Sequence, residues 1–153
     1  MVVRILFVCH GNICRSPMAE FITKDLIGKR ALTGYVTAES CATSNEEIGN
    51  DIYPPVRRVL SDHGIAFEHR IAGRMTVSDY EDNNLIIAMD RYNISNMRGF
   101  VKGDPDRKVR LMMSFVGEDN DVDDPWYSGD FERTFDDLSR ACNAMLSSLH
   151  LDE

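Results

Sequence analysis

The stretch FVCHGNICRSP, residues 7–17, places Cys9 and Arg15 with five residues between them. A loop of that length can wrap a tetrahedral anion with its backbone N–H groups pointing inward. Gly11 and Asn12 suit such a loop, because Gly adopts positive φ freely and Asn tolerates it. Arg15 supplies a planar fork that matches two phosphate oxygens. Ser16 and Pro17 read as the N-cap and first residue of a helix, whose positive end would face the same anion. A thiol among such donors is favoured as thiolate. A thiolate facing a bound phosphate monoester can displace its alkoxide or phenoxide.

Other chemistries for the stretch have less support. Cys9, His10 and Cys14 could form one corner of a metal site, but no second CxxC or HxxxH supplies further ligands. A thioredoxin-like redox pair needs two residues between its cysteines, and here there are four. A purely structural strand end would not require Arg, Gly and Asn together. No metal or cofactor is expected. His10, His63, His69 and His150 lack ligand spacing.

The elements that must position this loop follow an alternation of strands and helices. Met1–Val8 is an apolar run broken only by Arg4, as a buried parallel strand would be. Met18, Phe21, Ile22 and Leu26 recur at helical spacing, with Gly28 or Gly34 as the stop. Residues 35–40 read as a second strand. A helix follows Pro54-Pro55 and ends at Gly64. Residues 84–89 form a third strand, 91–100 a helix and 109–115 a fourth strand. An acidic loop precedes a last helix from Asp130, with Phe131, Phe135, Leu138, Cys142, Met145 and Leu149 on its buried face. The alternation predicts an α/β sandwich on a parallel sheet. Ligands of such sheets gather at the carboxyl ends of the strands, where residues 9–15 lie.

The 153 residues fit one domain, 1–153. The formal charge of −8 argues against a nucleic-acid binder. No apolar run reaches the roughly 20 residues of a membrane span. The N-terminus lacks the basic region and cleavage site of a signal peptide. Four scattered cysteines suggest no disulfide framework. A cytoplasmic protein is expected, without nucleic-acid or membrane partners.

VCHGNICRSPMAE, residues 8–20, resembles the signature of the low-molecular-weight protein tyrosine phosphatases. DDPWYSGDFE at 123–132 is similar to that family's late Asp-Pro-aromatic motif. TAESCATSNEEIGN, EHRIAGRMT and IIAMDRYN also resemble family segments. The resemblance implies a three-layer sandwich with a four-stranded parallel sheet in flavodoxin-like order 2-1-3-4. It implies that Cys9 attacks phosphorus to form a phosphocysteine. The loop His10, Gly11, Asn12, Ile13, Cys14 and Arg15 would bind the phosphate oxygens. Asp124 would protonate the leaving group and then activate water. Ser16 would support the Cys9 sulfur, and Ser40 and His69 would support Asn12. Phosphotyrosine proteins or peptides are the implied partners, with inorganic phosphate or other oxyanions in the site.

Residue chemistry agrees with those roles. A phenoxide leaves poorly unless protonated, so an acid is needed. Glu118, Asp119, Asp121, Asp123 and Asp124 cluster, and most read as a solvated acidic loop. Asp124 is preferred to Asp123 because Pro125 restricts the residue before it. Trp126 and Tyr127 suit a cleft wall that stacks on a phosphotyrosine ring, although Tyr127 could face solvent. Cys14 is a buried filler or, as in the family, a disulfide partner for an oxidised Cys9. Two positions depart from the family. Glu46 stands where a second aromatic wall is common, and His10 where an aliphatic residue or Thr is usual. The rival functions are phosphoarginine hydrolysis, arsenate reduction and phosphopeptide binding without turnover. Ile13 favours a phenyl ester over phosphoarginine. An arsenate relay would need two neighbouring cysteines, which Cys41 and Cys142 are not. All three of Cys9, Arg15 and Asp124 are present, which argues for turnover.

Overall fold

β1 (Val3–Cys9) is a central strand, and its sequence shows why. Ile5, Phe7 and Cys9 pack into one hydrophobic cluster, Leu6 and Val8 into another. Alternate side chains of a strand point to opposite faces, so an unbroken apolar run requires cover on both sides. The computed structural model describes residues 2–150, which leaves Met1 of the expected first strand outside the described residues.

β1 pairs in parallel with β2 (Val36–Ala42) and with β3 (Leu85–Ala88), and β3 pairs with β4 (Val109–Leu111). The sheet order is β2-β1-β3-β4, as the resemblance implies. One face is covered by α1 (Arg15–Lys29), α2 (Pro54–Asp62) and α7 (Phe131–Ser148). The other is covered by α3 (Val77–Asp82), α4 (Arg91–Asn96) and α5 (Arg98–Val101), which contribute Tyr80, Ile94 and Val101, with Met97 between the last two helices. α6 (Pro125–Ser128) is a short turn of helix just before α7. No helix among the described residues is long and apolar enough to cross a membrane.

Several elements differ from the sequence expectation. The expected fourth strand stops at Leu111 and becomes a 3-10 helix, Met112–Val116. Met112 and Met113 both bury in the cluster beneath α7, which the alternation of a strand would forbid. The helix expected over 91–100 is two helices broken at buried Met97. α3 and α6 were not expected at all. α1 ends neither at Gly28 nor at Gly34. Ala31 takes the left-handed conformation at φ 56°. Leu32 N–H bonds Ile27 O and Ala31 N–H bonds Gly28 O, closing a Schellman motif without glycine.

Candidate active site

The loop between β1 and α1 runs from the carboxyl end of the central strand. α1 starts at Arg15, with Cys14 rather than Ser16 in the N-cap position. Ser16 cannot cap because its hydroxyl is engaged elsewhere. Ser16 Oγ lies 2.9 Å from Cys9 Sγ and accepts from Asn12 Nδ2 at 2.7 Å. Asn12 N–H also donates to Cys9 Sγ, at 3.3 Å. The sulfur therefore faces the Asn12 N–H and the Ser16 hydroxyl together. Pro17 falls inside the first turn of α1, where its missing N–H costs little.

Asn12 is the loop residue with positive φ, at 59°, and it is fully buried. Gly11 does not use positive φ, contrary to expectation. A Cβ there would meet Glu47 Cγ at 3.3 Å, so that side chain would have to give way. Asn12 Nδ2 reaches Ser40 Oγ at 2.9 Å, and Ser40 donates to Glu20 Oε1 at 2.5 Å. Ser40 thus stands where the resemblance puts it. His69 does not. It is largely exposed, and its Nδ1 bonds Asp51 Oδ2 at 2.5 Å. The neighbouring Arg70 reaches Asn12 instead, through Nη1 to Asn12 O at 2.8 Å and Nη2 to Asn12 Oδ1. The chain from 65 to 73 is irregular, so no periodicity in the sequence could choose between these two neighbours.

Arg15 is buried, and its guanidinium is fixed from the far side of the loop. Nη1 donates to Asp90 Oδ2 at 2.8 Å and to Val122 O at 2.9 Å. Nη2 lies 3.6 Å from Asp124 Oδ2. Burial opposes the Arg15 charge, but Cys9, Asp90 and Asp124 outweigh it and raise its pKa. Asp124 caps α6 by accepting from Trp126 N–H at 3.0 Å through Oδ1. Asp123 points away and pairs with Arg133 at 3.4 Å.

A cleft opens over the loop, lined by Cys9, His10, Gly11, Ile13, Cys14, Arg15, Glu46, Glu47, Asp124, Trp126 and Tyr127. Trp126 packs on Tyr53 with ring centroids 4.9 Å apart, which holds one aromatic wall in place. Tyr127 is 85% exposed, so most of its ring faces solvent at the rim. Glu46 also lines the cleft, and its Oε2 meets His10 Nε2 at 2.9 Å. The two departures from the family are thus partners. Cys14 is buried and free, and burial followed by the charge of Cys9 pushes its thiol far up. Cys41 and Cys142 are also free, and they lie in clusters on opposite faces of the sheet. Asp90, Val122, Arg70, Glu20, Asp51, Glu47 and Tyr53 are contributors that the sequence reading missed. Only Asp90 carried a local signal, as a possible helix cap after a buried strand. No group of three or more His, Cys, Asp or Glu suited to a metal exists among the described residues.

Comparison with known proteins agrees with this geometry. Residues 4–153 match the family described as low molecular weight phosphotyrosine protein phosphatase. The low molecular weight protein-tyrosine-phosphatase YfkJ of Bacillus subtilis (strain 168) is 34% identical, over 99% of this chain and 98% of its own. The low molecular weight phosphotyrosine protein phosphatase of Schizosaccharomyces pombe is 36% identical over 83% of each chain. A crystal structure of YfkJ superimposes with a TM-score of 0.93 at 35% identity, covering 100% of this chain and 98% of that one. A drosophila arginine phosphatase structure aligns at 27% identity with a TM-score of 0.87, over 97% of this chain and 99% of that one. On sequence, fold and extent of match together, the chain belongs to the low molecular weight phosphotyrosine protein phosphatase family.

Proposed function

We propose that this protein tyrosine phosphatase hydrolyses phosphotyrosine through a phosphocysteine formed on Cys9. The observation that carries the reading is the setting of the Cys9 sulfur. Ser16 Oγ and Asn12 N face it at 2.9 and 3.3 Å, at the floor of a cleft that Arg15 and Asp124 also line. The thiolate attacks phosphorus and forms an S–P bond as the P–O bond to the phenol breaks. Arg15 and the backbone amides of residues 10–15 take up the charge on the equatorial oxygens. Asp124 gives its proton to the departing phenoxide. Water then attacks phosphorus, Asp124 recovers a proton from it, the S–P bond breaks and inorganic phosphate leaves.

The wall made by Trp126 on Tyr53, with buried Ile13 below, supports an aryl ester as substrate. Cys41 and Cys142, on opposite faces of the sheet, give no disulfide relay for arsenate reduction. A cytoplasmic setting belongs to this reading and is supported by four unpaired cysteines. The test is a panel of phosphotyrosine, phosphoserine and phosphoarginine peptides, with C9S as control. Turnover should be confined to phosphotyrosine and abolished in C9S. Preference for phosphoarginine, or turnover by C9S, refutes the proposal.

A further inference from the structure

We propose that Arg70 is a positioning residue that holds the phosphate-binding loop in its anion-receiving shape, an inference that rests on the proposed role of Cys9 and residues 10–15. Arg70 stands 58 residues from Asn12 along the chain, in the irregular segment between α2 and α3. Its Nη1 donates to Asn12 O at 2.8 Å, and its Nη2 donates to Asn12 Oδ1 and, at 3.2 Å, to Ser40 Oγ.

Asn12 needs such a partner. It holds φ 59° with no exposed surface, a conformation that a non-glycine residue keeps only when its surroundings impose it. Both of its oxygens are out of reach of solvent and need donors. One guanidinium reaches both through a rigid planar fork, which the single ammonium of Lys cannot reproduce, and Gly73 N–H adds only a longer bond to Oδ1 at 3.3 Å. The consequence reaches the chemistry because Asn12 N–H faces Cys9 Sγ. If Asn12 relaxes, that donor turns away and the neighbouring loop amides turn with it. Arg70 is itself anchored, since its backbone N–H donates to Asp51 Oδ1 at 3.1 Å. Its charge also faces Glu20 and Cys9, which oppose the effect of burial on the guanidinium. Arg15 would grip the anion directly, whereas Arg70 acts on it through Asn12.

The experiment compares wild type with R70A and R70K, using an aryl phosphate as substrate and inorganic phosphate as competitive inhibitor. Phosphate inhibition reports the shape of the loop without any chemistry. R70A should lower kcat/KM by about a hundredfold, the scale of a misplaced reacting group. It should weaken phosphate inhibition by about tenfold or more, and millimolar methylguanidinium should restore part of both. A folded R70A with wild-type kcat/KM and phosphate inhibition overturns the inference. If R70A does not fold, R70K decides. Phosphate inhibition weakened by about tenfold supports the role of the fork, and wild-type inhibition overturns it. C9S, assayed alongside, separates the two levels. Turnover surviving in C9S removes the site reading and this inference with it. An inactive C9S with wild-type behaviour in R70A and R70K removes only the role of Arg70.

Discussion

Asp124 divides its carboxylate between two tasks. Oδ1 accepts the Trp126 N–H that starts α6, and Oδ2 lies 3.6 Å from Arg15 at the cleft. A carboxamide can keep the first task but cannot relay a proton. D124N should therefore unfold near the wild-type midpoint, while D124A loses about 1 kcal/mol of cap. On aryl phosphates with poor leaving groups, D124N should be slower by about 10²–10⁴-fold, with far less effect on good leaving groups. Equal slowing across the series would remove Asp124 as the acid. Glu46 poses a different question. Its side chain is 70% exposed, and an exposed pair with His10 contributes only about 0–1 kcal/mol to stability. Its influence falls on what approaches the cleft. E46K should leave the denaturation midpoint unchanged and raise kcat/KM about fivefold for phosphopeptides with acidic flanks, the scale of one charge contact near water. The gain should shrink with added salt. An unchanged preference between acidic and basic peptides would take Glu46 out of substrate choice.

Among the elements, β3 and α4 show how a fold can place a side chain that no motif announces. β3 ends at Ala88, and Asp90 two residues on is the N-cap of α4, with Oδ1 accepting from Asn93 N–H at 2.7 Å. The same carboxylate holds Arg15 Nη1 at 2.8 Å. D90A should lose about 1–2 kcal/mol for the cap and weaken phosphate inhibition, because Arg15 keeps only Val122 O as the acceptor for Nη1. D90N keeps an oxygen for the cap and should lie nearer wild type in stability. Equal denaturation midpoints for D90A and wild type would contradict the cap. Asp90 also marks the limit of what the sequence could reveal. β1 and β3 were legible because both of their faces are buried, which leaves plain apolar runs such as residues 85–89. The loop of residues 9–15 was legible because its chemistry is local. Arg70, Asp51, Glu20 and Tyr53 were not, since they come from separate segments that meet only through the sheet order. The start of α1 was misread because Ser16 looked like a cap, although the resemblance already put its hydroxyl at the Cys9 sulfur, where it lies. The 3-10 helix was misread because a run of apolar residues does not reveal which face each one seeks.

Across the whole molecule, a chain of formal charge −8 gathers two buried or partly buried arginines behind one loop. The acidic residues near Asp124 are not simply solvated. Glu118 pairs with Arg140, Asp119 and Asp121 with Arg91, and Asp123 with Arg133, so the loop is tied to α4 and α7. Behind the site, Asp51 joins His69, Ile52 and Arg70. Burial alone would push its carboxyl up, but the hydrogen bonds from His69 and then from the Arg70 and Ile52 N–H groups prevail. They hold its pKa at about 2, against an ordinary 3.8. A carboxyl whose folded pKa is depressed stabilises the fold above the unfolded value and loses that contribution as pH falls through the folded one. The window here runs from about pH 4 down to about pH 2. Wild-type stability in urea should fall across that window, and D51N, which has no proton to take up, should fall less steeply. D51A should also weaken phosphate inhibition, because Arg70 loses one of its anchors, whereas D51N keeps an oxygen for the Arg70 N–H. If D51N and wild type lose stability in parallel from pH 4 to 2, the Asp51 cluster does not couple acid to the fold. If phosphate inhibition is unchanged in D51A, Arg70 is held without Asp51.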